Sequence, residues 1–283
     1  MGFPGPQTSS RTHAWYLPPV HVVAIVELAG PIEAEAAALA ADLGTTAYEE
    51  RLKLAAGLPV IVLKSADPEP AAALLAKIRA RGHGVIGCDA SAVVPSGAMV
   101  SMRRFAFEPD ALVLPDVPGA RLPWDDVLAL FRAMHTTRTE TLTETKGRKF
   151  SAGRALLSGG LMMTKTVASE ERSESTERDQ VLYVFRAGQE TPWLLRERGT
   201  HYTGLGTQLG PASAQNFLTT IARLRALAPR AVYDERLMTP RSAPTRASRT
   251  ASPGTESHAF SSGSGVDLLA HLLAQWISTR PPR

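Results

Sequence analysis

Residues 58–89 read LPVIVLKSADPEPAAALLAKIRARGHGVIGCD, and this stretch decides the class of fold. Val60, Ile61, Val62 and Leu63 form a short β-branched and apolar run that predicts a strand. Asp67-Pro68 predicts a helix start, because an aspartate can accept from the free N–H groups of a first turn and proline is pre-organised to follow it. Leu74, Leu75 and Ile78 recur at helical spacing, basic residues follow, and Gly82 is the stop signal. Val85 to Cys88 then predicts another strand.

Upstream the same punctuation repeats. Residues 20–28 form a buried-strand pattern, and Gly30-Pro31 opens an Ala-rich helix from Ile32 to Leu43 that ends at Gly44. A second helix starts at a Thr45-Thr46 cap, places Tyr48, Leu52 and Ala55/Ala56 on one face, and stops at Gly57. The order is strand, helix, helix, strand, helix, strand. Three strands then form one sheet with the helices on one face, a βααβαβ sandwich over residues 19–92.

This order, together with the 58–89 stretch, resembles the C-terminal domain of the bacterial ribosomal stalk protein and the architecture of the clp-protease adaptor family. The resemblance implies a ferredoxin-like or stalk-like protein-binding module. The stalk domain meets translation factors through a lysine-rich helical face. Here the helices carry Glu33, Glu35, Asp42, Glu49 and Glu50 against Arg51 and Lys53, so a ribosomal role is not carried over.

From about residue 97 the pattern changes to strands: VSMRRFAFE, ALVLP, DVLALFRAM, TRTETLTET, ALLSGGLMMTKTV, VLYVFRAG and TPWLLRERG, separated by Pro, Gly and Asp turns. An amphipathic helix follows over residues 211–228, with Phe217, Leu218, Ile221, Leu224 and Leu227 on one side. Many antiparallel strands closed by one C-terminal helix resemble a pleckstrin-homology-like barrel, here residues 97–230, and the whole chain reads as α+β. Residues 239–264 are Ser/Thr/Pro/Arg/Gly-rich with almost no aliphatics, which predicts a disordered linker. Residues 1–18 are expected to be a disordered N-terminus. VDLLAHLLAQWI then predicts an amphipathic helix over residues 265–278. Its Leu268, Leu269, Leu272, Leu273 and Trp276 need an apolar groove, on this chain or on a partner.

With 44% hydrophobic and 20% charged residues, the composition is that of a folded chain, and a formal charge of +4 is weak support for a polyanionic partner. Cys88 is the only cysteine, which excludes an internal disulfide and a cysteine-based zinc site and favours a reducing, cytoplasmic setting. The polar opening lacks the basic and apolar regions of a secretory signal, and the run at 20–28, broken by His21 and Glu27, is too short to span a bilayer.

Several patterns invite chemistry. TGLGTQLGP, with Gly204, Gly206 and Gly210 before a helix, resembles a dinucleotide loop with the wrong final spacing. Arg138, Lys146, Arg148, Lys149 and Arg154 form a basic cluster that, on a hairpin loop, could hold an anionic head group or a membrane surface. SGGLMMTK and the tail's GSG suggest a serine nucleophile, but neither His135 nor His201 is paired with a serine by spacing. Asp125 and Asp126 read as a turn at a strand start, and the Glu170–Asp179 run, interspersed with Arg172 and Arg178, as a surface loop. Trp124, Tyr183, Phe185, Trp193 and Tyr202 read as core, and without a dense basic face nucleic acid is not an expected partner.

No set of nucleophile, base or metal ligands emerges, so neither a catalytic centre nor a cofactor or metal is expected. The expected function is a non-enzymatic binding or adaptor protein whose partner is another protein. The alternatives are anionic-lipid or phosphate binding through residues 146–154, and a nucleotide-binding enzyme using residues 204–210.

Overall fold

The computed structural model describes residues 20–150, 164–188, 191–239, 245–252 and 255–280. The N-terminal unit runs β1 (His21–Glu27), α1 (Ile32–Leu43), α2 (Ala47–Ala55), β2 (Val60–Ser65), α3 (Pro68–Ala80) and β3 (Gly84–Asp89). The predicted stops act through geometry: Gly44, Gly57 and Gly82 all hold positive φ. Thr46 caps α2 in a reciprocal capping box with Glu49, and the Asp67 side chain accepts from the Glu69 N–H at the start of α3. β1 lies between β2 and β3, antiparallel to both.

Alternation along β1 splits two cores. Val23 and Ile25 pack with Leu39, Leu54, Leu74 and Ile78 of the three helices. Val22, Ala24 and Val26 face the other way.

The second part begins with short strands β4 (Val100–Ser101), β5 (Ala106–Phe107), β6 (Ala111–Val113) and β7 (Arg121–Pro123). It continues through β8 (Val127–Phe150), β9 (Thr164–Arg186), β10 (Trp193–Arg196), α4 (Ser213–Leu227), β11 (Val232–Leu237), β12 (Thr245–Ser252), β13 (Thr255–Ser261) and α5 (Gly263–Ser278). A curled, half-barrel sheet has the order β12-β13-β8-β9-β10-β4, with β11 added parallel to β8, and β5-β6-β7 form a separate small sheet. The chain is α+β, as expected.

One face of the curled sheet, with Leu130, Leu182, Val184 and Leu195, packs on α4 and the small sheet. The opposite face, with Phe131, Val181, Tyr183 and Phe185, packs on α5. The far side of α5 in turn meets Val22, Ala24, Val26 and Ile86 of the N-terminal sheet. The C-terminal helix is therefore the central layer between two sheets. It docks in cis: Leu268, Leu269, Leu272 and Leu273 are 7%, 3%, 0% and 0% exposed, which removes them as a surface for a partner. Trp276 reaches the N-terminal sheet at Gly84, where a Cβ would sit 2.9 Å from the indole ring, and Arg280 stacks on that indole while bonding Glu27.

Three expectations are corrected. The linker expected over residues 239–264 contains β12 and β13, and β13 pairs along residues 137–143 of β8. A Ser/Thr/Arg-rich segment cannot build a core, but β-branched threonines suit a strand, and a strand needs only a free edge to satisfy its backbone. DVLALFRAM and TRTETLTET are one strand, and the Glu170–Asp179 run lies in β9 rather than in a loop. The physical reason is common to both: cross-strand pairing between β8 and β9 runs from Val127/Arg186 to Phe150/Thr164, and alternating Thr, Glu and Arg can satisfy a ladder without any buried face.

Cys88 lies half-buried on β3, and burial, aided by the neighbouring Asp89 charge, pushes its thiol up to about 11. At neutral pH the native chain should therefore react with a thiol dye far more slowly than the denatured chain; equal labelling rates would contradict this placement.

Candidate functional site: a cleft along the β2 edge

A cleft of about 810 Å³ runs beside β2. Val60, Ile61, Val62, Leu63 and Lys64 form one wall. Ala90, Val93 and Pro95 from the segment after β3, Thr245 at the start of β12, and Ser264, Gly265, Leu268 and Leu269 from the first turns of α5 form the other. Lys53 of α2 and Ala56, which caps that helix, also line it. Among the described residues β2 has β1 as its only strand neighbour, so its outer edge presents N–H and C=O groups toward this space.

The back of the cleft is polar but closed. Asp267, 2% exposed, accepts from the Tyr183 hydroxyl at 2.6 Å through Oδ1 and from the Ser96 N–H at 2.8 Å through Oδ2. Because the Tyr183 proton goes to Asp267, its oxygen accepts from His135 Nε2 at 2.6 Å. His271 Nδ1 donates to the Asp267 carbonyl at 2.8 Å while Nε2 accepts from the Val94 N–H at 3.3 Å. Burial holds both imidazoles below their ordinary range, and burial together with the Asp267 charge pushes the Tyr183 phenol well up. Each of these groups has its partner, so the network ties α5 to the curled sheet and to the 90–96 segment.

The other sequence candidates are dispersed. Arg138 lies on β8 and is ion-paired with Glu174 at 2.8 Å and Glu140 at 3.2 Å. Lys146, Arg148 and Lys149 belong to the β8 backbone ladder, opposite Ala168, Thr166 and Lys165, rather than to a hairpin loop, and Arg154 lies outside the described residues. SGGLMMTK falls largely outside them too. Gly204 is explained by packing, since a Cβ there would lie 2.1 Å from the Phe105 carbonyl oxygen. Gly210 exchanges hydrogen bonds with the Asn216 side chain. Asp125 and Asp126 form a short turn before β8, with ion pairs to Arg230 and Arg186. The five aromatic residues are all buried, Tyr183 and Phe185 against α5 and the others with α4 and the small sheet. Among the described residues no group of His, Cys, Asp and Glu is arranged to hold a metal ion, and no helix is long and apolar enough to cross a membrane.

Sequence reading missed the cleft because its walls come from residues 53–64, 90–95 and 245–269, brought together only by the docking of α5. The one local signal was the β-branched run of β2. Comparison of the chain with protein-family models, with curated proteins and with solved structures finds no match.

Proposed function

We propose that this chain is a non-enzymatic protein-binding protein that captures an extended segment of another protein as an added strand along β2. The observation that carries this reading is the outer edge of β2, which pairs with no second strand among the described residues and opens into the cleft. Main-chain groups supply affinity in such strand addition, and flanking apolar walls select alternate side chains. Tyr48 and Leu52 on α2, the helix that contributes Lys53 to the cleft, are 63% and 52% exposed. Lys64 lines the cleft without an ion pair among the described residues, while Lys53 beside it is held by Glu50 at 2.7 Å, which favours a segment with apolar residues in the middle and an acidic residue at the end that meets Lys64.

The stalk-like or adaptor-like character of the N-terminal unit, the pleckstrin-like character of the curled sheet with α4, and a cytoplasmic setting belong to the same proposal. Their support is the order of elements and the single cysteine. Binding of an anionic ligand through the basic residues of β8 is less well supported, because Arg138 is already engaged by carboxylates.

The test is selection of displayed random peptides on the full chain. Enriched peptides should alternate apolar residues and carry an acidic residue at one end. Ser264→Trp, a bulky ring at an exposed position of the cleft wall, should weaken them by more than about tenfold. Failure to enrich any peptide, or unchanged binding by Ser264→Trp, would remove the proposal.

A further inference from the structure

The chain enters β1 at the Ser65 end of β2, where His21 stands opposite Ser65. The Val20 carbonyl accepts from the Ala90 N–H at 2.8 Å, so Val20 is already in line with β1 and any change of direction falls on the residues before it. The cleft reaches this same end, because Ala90, which lines it, follows Asp89, the β3 partner of His21. Residues 1–19 lie outside the described residues. In sequence, His13 is followed by Ala14, Trp15, Tyr16 and Leu17, the longest hydrophobic run of that segment, and then by Pro18 and Pro19.

We propose that residues 13–17 occupy the cleft as a strand parallel to β2, a tethered stand-in that a partner segment must displace. The inference rests on strand addition at β2 as the binding mode. The reach fits: a strand outside β2 lies two strand spacings from β1, about 9.5 Å. The steps from Leu17 to Val20 through the two prolines span about 9 Å in the extended form that proline imposes. Proline has no N–H for a ladder, so Pro18 and Pro19 suit the crossing rather than the strand. Followed back from Val20, the chain then runs along β2 from its Ser65 end toward Val60, which makes the added strand parallel and brings Trp15 and Tyr16 near Leu63 and Lys64. Aromatic residues suit a half-buried edge of this kind, and a segment with no core of its own orders on a template. Tethering supplies an effective concentration of about millimolar, so a contact too weak to persist between separate molecules closes the edge. It remains displaceable for two reasons. Parallel pairs are slightly weaker than antiparallel ones. Residues 1–19 also contain no Asp or Glu to meet Lys64, whereas a partner with an acidic end gains that ion pair and protects the edge further.

Amide exchange and peptide binding on the full chain test this separately from capture itself. Trp15→Gly combined with Tyr16→Gly, outside both sheets' cores, should speed exchange at residues 60–65 about tenfold and tighten the binding of selected peptides about tenfold, because a competing closed state is removed. Exchange at residues 84–89 should not change. A synthetic peptide of residues 10–19, added at about millimolar concentration, should slow exchange at residues 60–65 of the variant again. Unchanged exchange at residues 60–65 in the variant, or no effect of the added peptide, would overturn the proposal. If displayed peptides enrich but bind the native and variant chains equally, the tethered contact fails and capture stands. If exchange responds as expected but no displayed peptide enriches, capture of a foreign segment fails and the tethered contact stands.

Discussion

Replacing Leu273 by aspartate should leave the chain unable to fold cooperatively. Leu273 is fully buried on α5, in the one cluster that joins the inner faces of both large sheets. An unpaired carboxylate there would have no partner, and the cost of burying it exceeds what a marginally stable chain can absorb. The milder Leu273→Ala should cost about 2–5 kcal/mol, the usual range for removing a buried leucine. Chemical denaturation of the two variants checks this. Near-native stability of Leu273→Asp would mean that α5 is not the shared centre of the fold. A chain truncated before α5 should fail in the same way, because the removed helix covers two sheets at once.

Stability should also fall as the pH drops below about 6.5, driven by the network behind the cleft. Burial depresses the folded-state values of His135 and His271 below the ordinary 6.5. For a group depressed in this way the unfolded chain binds the proton first. The stabilising contribution is complete above pH 6.5 and is lost as the pH falls through the lower, folded-state value. Asp267 and Asp179 pull His135 the other way, while Arg196 acts with burial, and burial is the largest influence. Each histidine can contribute up to about 1.4 kcal/mol per pH unit within its window. Unfolding free energies measured across this range should slope accordingly, and the slope should lessen in His135→Gln and His271→Gln. A flat profile in the native chain would contradict the buried, neutral assignment.

The N-terminal unit was legible in the sequence because each of its boundaries has a local cause. Thr46, Asp67, Gly44, Gly57 and Gly82 act within a few residues of where they stand, and the helices they bound match the expected ranges closely. β8 and β9 were not legible as continuous strands. Hydrophobic contrast ends near Met134 on one and begins near Val181 on the other, and beyond those points backbone pairing and cross-strand ion pairs such as Arg138–Glu174 and Arg172–Glu140 hold the arm. The same blindness hid β12 and β13, whose stability comes from the edge of β8 rather than from burial. The apolar stripe of α5 was plain in the sequence, but not what covers it: a helix apolar nearly all round signals two packing partners, and Asp267, His271 and Trp276 gave no hint of which. His135, Tyr183 and Asp267 are separated by 48 and 84 residues, a distance over which spacing carries no information.

Amide hydrogen exchange of the full chain, with and without a peptide selected on it, tests the strand-addition account most directly. The account predicts added protection concentrated at residues 60–65 and the first turn of α5, with residues 84–89 of β3 unchanged. Protection absent from β2, or centred on the β8–β9 arm, would show that the peptide binds elsewhere and that the β2 cleft is not the binding site.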